Sequence, residues 1–308
     1  PAAHPVAEAP THPPAASETP QRTVSRPPDP PARDPAGPAA APDAALQEPG
    51  PDGAPAPLPR IAADGRQPMQ VYAASFDRST KLPRVAVLVA GMALSEADSL
   101  AAARALPPAV SFAISPYGGA IPQVVAALRA TRHEFLLSIP MEPQGFPLSD
   151  PGDRALMSNL SRADNRARLL WALSRTTGYV GATAALGELR GQRFLGLADQ
   201  MEPVLADLAG RGLLFVDSRA GEPPLPAVWS RGIDLVLDEP PRSDAIDARL
   251  AELEALARSK GAALGLVDVP RPMTVQRLAA WSAGLRERGF VLAPVSAIVQ
   301  PPPKDVPQ

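Results

Sequence analysis

Cysteine is absent from the chain, and with it go disulfides, thiol nucleophiles and cysteine–zinc centres. Histidine is scarce: His4 and His12 lie near the start, leaving His133 as the one imidazole in the rest of the chain. A transition-metal hydrolase ordinarily presents two or more imidazoles at an open site, which a single His cannot supply. No Phe, Trp or Tyr precedes Tyr72. Long apolar runs are missing as well. The longest, Val85 to Leu94, falls far short of the roughly eighteen residues that a membrane span needs. A net charge of −2 and a pI near 6.0 come with no dense Lys/Arg patch, which argues against a nucleic-acid partner. No G-x-G-x-x-G follows an apolar run to suggest a dinucleotide site, and no G-x-S-x-G elbow offers a serine nucleophile.

What is present divides the chain. The 41 prolines are shared about evenly between the first eighty residues and everything after them. A segment without aromatics and with few large aliphatics cannot bury enough apolar surface to offset its conformational entropy. Residues 1–78 are therefore expected to form a disordered, Pro/Ala-rich linker, extended and semi-rigid. The chain begins with Pro1 rather than Met, so a missing N-terminal anchor upstream of this spacer is a further expectation. A folded domain over 79–300 and a flexible tail over 301–308 complete the division.

From Arg84 onwards short apolar runs alternate with amphipathic ones. The runs are Val85–Ala90, Val110–Ser115, Glu134–Ile139, Tyr179–Thr183, Leu213–Asp217, Ile233–Asp238, Ala263–Asp268 and Phe290–Pro294. They are continuously apolar rather than alternating, as in parallel strands covered on both faces. Ser95, Ser161, Ser243 and Thr274 read as caps of the helices between them. Eight strands separated by helices predict an α/β fold, a (β/α) barrel that is distorted or incomplete.

In such a barrel the C-terminal strand ends share one face, and sites are built there. The polar residues at those ends include Glu142, Asp217, Ser218, Arg219, Asp238 and Asp268. Asp217, Asp268 and Glu142 are the candidates for acid/base work, since a glycosidase needs two opposed carboxylates. Asp is also a common loop starter and helix cap, so a purely structural role for each stays open. His133 falls at the start of a strand, on the opposite face, and reads as structural.

Three strings stand out in their order and spacing. They are Val110-Ser111-Phe112-Ala113-Ile114-Ser115-Pro116-Tyr117, His133-Glu134-Phe135-Leu136-Leu137-Ser138-Ile139-Pro140-Met141-Glu142-Pro143, and Gly212-Leu213-Leu214-Phe215-Val216-Asp217-Ser218-Arg219. With Pro270-Arg271-Pro272-Met273-Thr274 and Ala293-Pro294-Val295-Ser296, the chain resembles the divergent polysaccharide deacetylase family over roughly Arg84 to Ala297. That resemblance implies a deacetylase-type barrel and cell-envelope glycan chemistry through a metal.

The departures from the family pattern fall at its metal site. Its Asp-Asp-Leu-Gly after the first strand is Ala90-Gly91-Met92-Ala93 here, and the His before its Pro-Met-Glu-Pro is Ser138. Its Asn-Asn-His-Met-Gly is Thr183-Ala184-Ala185-Leu186-Gly187, and its Gly-His-Pro is Asp268-Val269-Pro270. The expectation is a non-catalytic domain without cofactor, periplasmic or otherwise in the envelope, tethered by its linker. It would bind a glycan or an envelope protein through Glu142, Asp217, Ser218, Arg219, Asp238 and Asp268. The alternative is an active carbohydrate hydrolase that holds a divalent cation such as Mg²⁺ or Ca²⁺ with Asp217, Asp238 and Asp268 alone. A spacer whose cleft is filled, with Met92 and Leu186 at former site loops, is the third possibility.

Overall fold

The computed structural model describes residue 1, residues 41–225 and residues 227–302. Two short strands, β1 (Gln47–Glu48) and β2 (Leu58–Pro59), pair antiparallel ahead of the single turn α1 (Pro68–Val71). Strands and helices then alternate. The first half comprises β3 (Arg84–Met92), α2 (Glu96–Ala105), β4 (Ser111–Ile114), α3 (Ile121–Ala130), β5 (Phe135–Ser138), α4 (Arg162–Leu173) and β6 (Gly181–Thr183). The second comprises α5 (Gln192–Leu195), α6 (Ala198–Gly210), β7 (Leu214–Ala220), β8 (Ser230–Ile233), β9 (Leu235–Val236), α7 (Ser243–Lys260), β10 (Ala262–Val267), α8 (Pro272–Ala283) and β11 (Val291–Leu292).

Strands β3 to β11 pair in parallel, linked in the order β8-β7-β6-β5-β4-β3-β10-β9, with β11 added beside the start of β3. Only Asp234 separates β8 from β9. The two ends of the sheet therefore lie on one run of chain, and the sheet curls nearly into a barrel. Asp234 makes the transfer: its N–H reaches Leu264 O at 2.8 Å, and its carboxylate accepts from Leu264 N at 2.9 Å. Each of the eight predicted runs contains sheet; the run Ile233–Asp238 is divided at this crossover, and most of β8 lies ahead of it, a ninth strand that the apolar pattern missed.

The continuous apolar runs reflect two cores served by alternate residues. Val85, Val87 and Val89 of β3 join Phe112, Phe135, Leu137 and Phe215 beneath the helices. Ala86, Leu88 and Ala90 join Leu136, Leu214, Val216, Leu264 and Leu266 in the barrel interior. With both faces buried, neither parity can be polar.

The expected linker boundary at residue 79 is corrected by the packing. Residues 2–40 of the predicted linker, and 303–308 of the predicted tail, lie outside the described residues. Residues 43–76, however, close the N-terminal end of the barrel. Leu46, Ala62, Met69, Tyr72 and Ala73 are buried in the interior core together with Val295, Ala297 and Ile298. Met69 N–H bonds Gly212 O at 3.1 Å, Tyr72 Oη accepts from Asp43 N at 2.9 Å, and Arg211 grips Glu48 at 2.5 Å. Apolar residues spaced too irregularly for a helix or strand of their own are stabilised here by a surface that other elements supply.

Two of the four caps are as predicted. Ser95 accepts from Asp98 N at 3.3 Å and Ser161 from Asp164 N at 3.1 Å. The other two are corrected: Ser243 is the first helical residue of α7, after Arg242, and Thr274 lies inside α8, fully buried. α8 starts instead at Pro272, whose fixed φ suits the first turn.

Candidate functional site

Backbone geometry at the C-terminal end of the barrel is set by close approach. Gly91 has φ +71°, and a side chain there would meet Asp268 O at 2.9 Å. Ala93 follows in the same left-handed region at φ 69°. In β7 the pairing register with β8 shifts between Asp217 and Ala220. Such an irregularity re-aims side chains at a barrel rim, and here it carries Asp217, Ser218 and Arg219.

Every candidate carboxylate at this end meets an arginine. Asp217 is fully buried and takes both Nε (3.1 Å) and Nη2 (2.7 Å) of Arg219, plus the Arg219 backbone N–H at 2.9 Å. Asp268 takes Nε of Arg190 at 3.2 Å and Nη2 at 2.8 Å. Asp238 accepts from Asp268 N at 2.9 Å and Val269 N at 3.3 Å, and from Arg271 Nη1 at 3.3 Å. Glu142 accepts from Ser158 N at 2.6 Å and meets Arg193 Nε at 3.1 Å. Ser218 ties the first pair to the second by donating to Arg190 O at 2.6 Å. Asp217, Ser218, Arg219, Asp238 and Asp268 thus belong to one connected network, and Glu142 meets Arg193, three residues after Arg190.

The carboxylates are more deeply buried than the guanidiniums they meet. Bidentate Arg–carboxylate pairs are rigid, and breaking a buried one by removing a partner costs about 3–5 kcal/mol. Burial pushes the Asp268 carboxyl up to about 6, against the pull of Arg190. Burial also raises Asp238, opposed by the backbone N–H groups of Asp268 and Val269. The hydrogen bonds to Asp217 lift the Arg219 guanidinium, which stays charged. Arg190, Arg193 and Arg271 escape a reading of the sequence that looks for acids and imidazoles. Of these only Arg271 carries a signal, an Arg three residues after the strand-end Asp268, as Arg219 follows Asp217; Arg190 and Arg193 carry none.

Among the described residues no three His, Cys, Asp or Glu side chains gather into a group that could hold a metal ion. Ser138, in the place of a family His, is fully buried and its Oγ has no protein partner. His133 is buried at the opposite end, with Nδ1 at 2.8 Å from Val110 O and Nε2 at 3.1 Å from Ala103 O, edge-on to Phe112. It is structural, as its position before β5 predicts. A groove of ≈ 180 Å³ lies between α4 and α6, on the outer wall rather than at the strand ends.

The divergent polysaccharide deacetylase family profile matches residues 87–299. The fold is similar to that of an uncharacterised protein from Agrobacterium tumefaciens C58, 31% identical, with a TM-score of 0.72 over 79% of this chain and 99% of that one. An Enterococcus faecalis V583 protein named for cellobiose-phosphate cleavage is 13% identical, with a TM-score of 0.50 over 71% of this chain and 100% of that one, a likeness of fold alone. No curated protein matches the chain. Among the described residues no helix is long and apolar enough to cross a membrane. With its barrel, its strings and its matched span in agreement, the chain belongs to the divergent polysaccharide deacetylase family.

Proposed function

We propose that the domain is a non-catalytic member of its family, a binding module for glycan in the cell envelope. The observation that carries this reading is the pairing of Glu142, Asp217, Asp238 and Asp268 with Arg193, Arg219, Arg271 and Arg190. A hydrolytic site of this ancestry needs a Lewis acid and a group free to activate water. Here the acids are committed to guanidiniums, and the imidazoles of the family pattern are Ser138, Ala185 and Val269. The envelope setting and the glycan are what family membership implies. The test is acetate release from acetylated N-acetylglucosamine oligomers and peptidoglycan fragments, run beside binding of the same glycans. Binding without release supports the module; stoichiometric release would overturn it.

A second reading, a carbohydrate hydrolase working through carboxylates, draws on Asp268. A carboxyl held at about 6 exchanges its proton near neutral pH, as a general acid or base must. Asp217 or Glu142 would be its partner. The same acetate assay decides, because the hydrolase loses release on Asp268→Asn and the module has none to lose.

A further inference from the structure

Three of the four arginines share an arrangement that charge neutralisation alone does not require. Each is held from below by a buried Asp and touched from outside by an exposed Glu. Arg190 lies between Asp268 and Glu239, whose side chain is 64% exposed. Arg271 lies between Asp238 and Glu188, 70% exposed. Arg219 lies between Asp217 and Glu222, 40% exposed and 3.7 Å away. The units interlock: Glu188 and Arg190 share one loop, Asp238 and Glu239 are adjacent, and each loop contributes to both ion pairs.

The inner and outer contacts differ in kind. Asp217 and Asp268 orient Arg219 and Arg190 through two guanidinium nitrogens each, and Asp238 holds Arg271 through one at 3.3 Å, so outward N–H groups are directed from below. The outer Glu residues make surface ion pairs, weak and easily exchanged in water. A ligand bearing several carboxylates would find three pre-oriented arginines whose present partners yield at little cost, and its linked charges would act together. We propose that this face binds an acidic, carboxylate-bearing glycan, with Glu188, Glu222 and Glu239 as internal placeholders for the carboxylates of the ligand. This rests on the binding-module reading above and names its ligand class. A polysaccharide fits the family to which the chain belongs; an acidic polypeptide is the competing source of the same chemistry.

The test is titration calorimetry of the intact chain with a soluble polyuronate, a neutral N-acetylglucosamine oligomer and polyglutamate, at low and high salt. The key variant is Glu188→Gln/Glu222→Gln/Glu239→Gln, which spares the inner pairs and folds as the parent does. The control is Glu202→Gln/Glu252→Gln/Glu287→Gln, with the same charge change at other exposed positions. The proposal expects polyuronate binding that weakens with salt. It also expects that binding to tighten roughly tenfold in the key variant and to stay near the parent value in the control. No polyuronate binding by parent or key variant would overturn it, as would an equal gain in the control. Polyglutamate binding as tightly with the same gain would overturn the glycan assignment in favour of an acidic protein. Neutral oligomer bound alone, unaffected by the key variant, would overturn the acidic ligand while leaving the binding module intact.

Discussion

Glu134 and the aspartates at the C-terminal strand ends satisfy their buried carboxylates in opposite ways. At the N-terminal end Glu134, at the head of β5, accepts from four neutral donors: Ala74 N at 3.0 Å, Ser296 N at 3.0 Å, Ser111 Oγ at 2.8 Å and Ser296 Oγ at 2.5 Å. It ties the N-terminal segment and the chain after β11 to the barrel. At the C-terminal end Asp217, Asp238 and Asp268 meet cations, and each guanidinium keeps an outer edge for something else. Glu134 closes the fold; the aspartates hold arginines in place. Burial alone therefore does not mark a functional carboxylate; the direction in which its partner points does.

The largest effect expected of this contrast is at the C-terminal end. Asp268→Ala leaves Arg190 half-buried beside the exposed Glu239 alone, and chemical unfolding is expected to show a loss of about 3–5 kcal/mol. Replacing both partners, as Arg190→Leu/Asp268→Leu, is expected to cost less than the single change, because no charge is stranded. A double variant worse than the single one would mean the pair is not the unit described here.

Next comes Glu134→Gln, which keeps the shape but gives up charge-assisted hydrogen bonds, at a cost of about 1–3 kcal/mol. The distinctive readout is proteolysis: cleavage within residues 43–78 should accelerate before the rest of the domain is attacked. Unchanged cleavage there would remove Glu134 from its role as the tie.

The pH response sets the two ends against each other. Burial holds His133 below its ordinary value of 6.5, so the folded state resists protonation. The stability this brings is present above that value and lost as pH falls. Asp268, held at about 6 against an ordinary 3.8, takes up its proton sooner folded than unfolded. Its contribution is complete below the ordinary carboxylate range and lost as pH rises through about 6. Between pH 7 and 5 the two slopes oppose. Asp268→Asn should therefore steepen the acid-side loss of stability, read as unfolding midpoints across that window, and a shallower loss would contradict the assignment. The smallest effect is that of Glu239→Gln, an exposed partner whose loss should move stability by no more than ~0.5 kcal/mol.

Much of the barrel was legible in the sequence because parallel strands buried on both faces leave continuous apolar runs, as in Val85 to Ala90. The strand-end acids were legible for the same reason, since a polar residue closing such a run stands out. What the sequence hid is physical in origin. Leu46, Met69 and Tyr72 have no periodicity because the surface they bury against belongs to distant strands. Arg190 meets Asp268 across 78 positions and Arg271 meets Glu188 across 83, pairings that only the closed barrel creates. Thr274 resembles a cap by type, yet Pro272 two residues earlier starts α8.

The strand-end carboxylates Asp217, Asp238 and Asp268 hold guanidiniums, which leaves them unavailable to a metal ion. Elemental analysis of the dialysed chain, before and after incubation with Zn²⁺, Mg²⁺ and Ca²⁺, checks this. Far less than one equivalent of any of these metals is expected, unchanged by Asp217→Ala or Asp268→Ala. One tightly held equivalent in the parent chain, lost on either substitution, would contradict it.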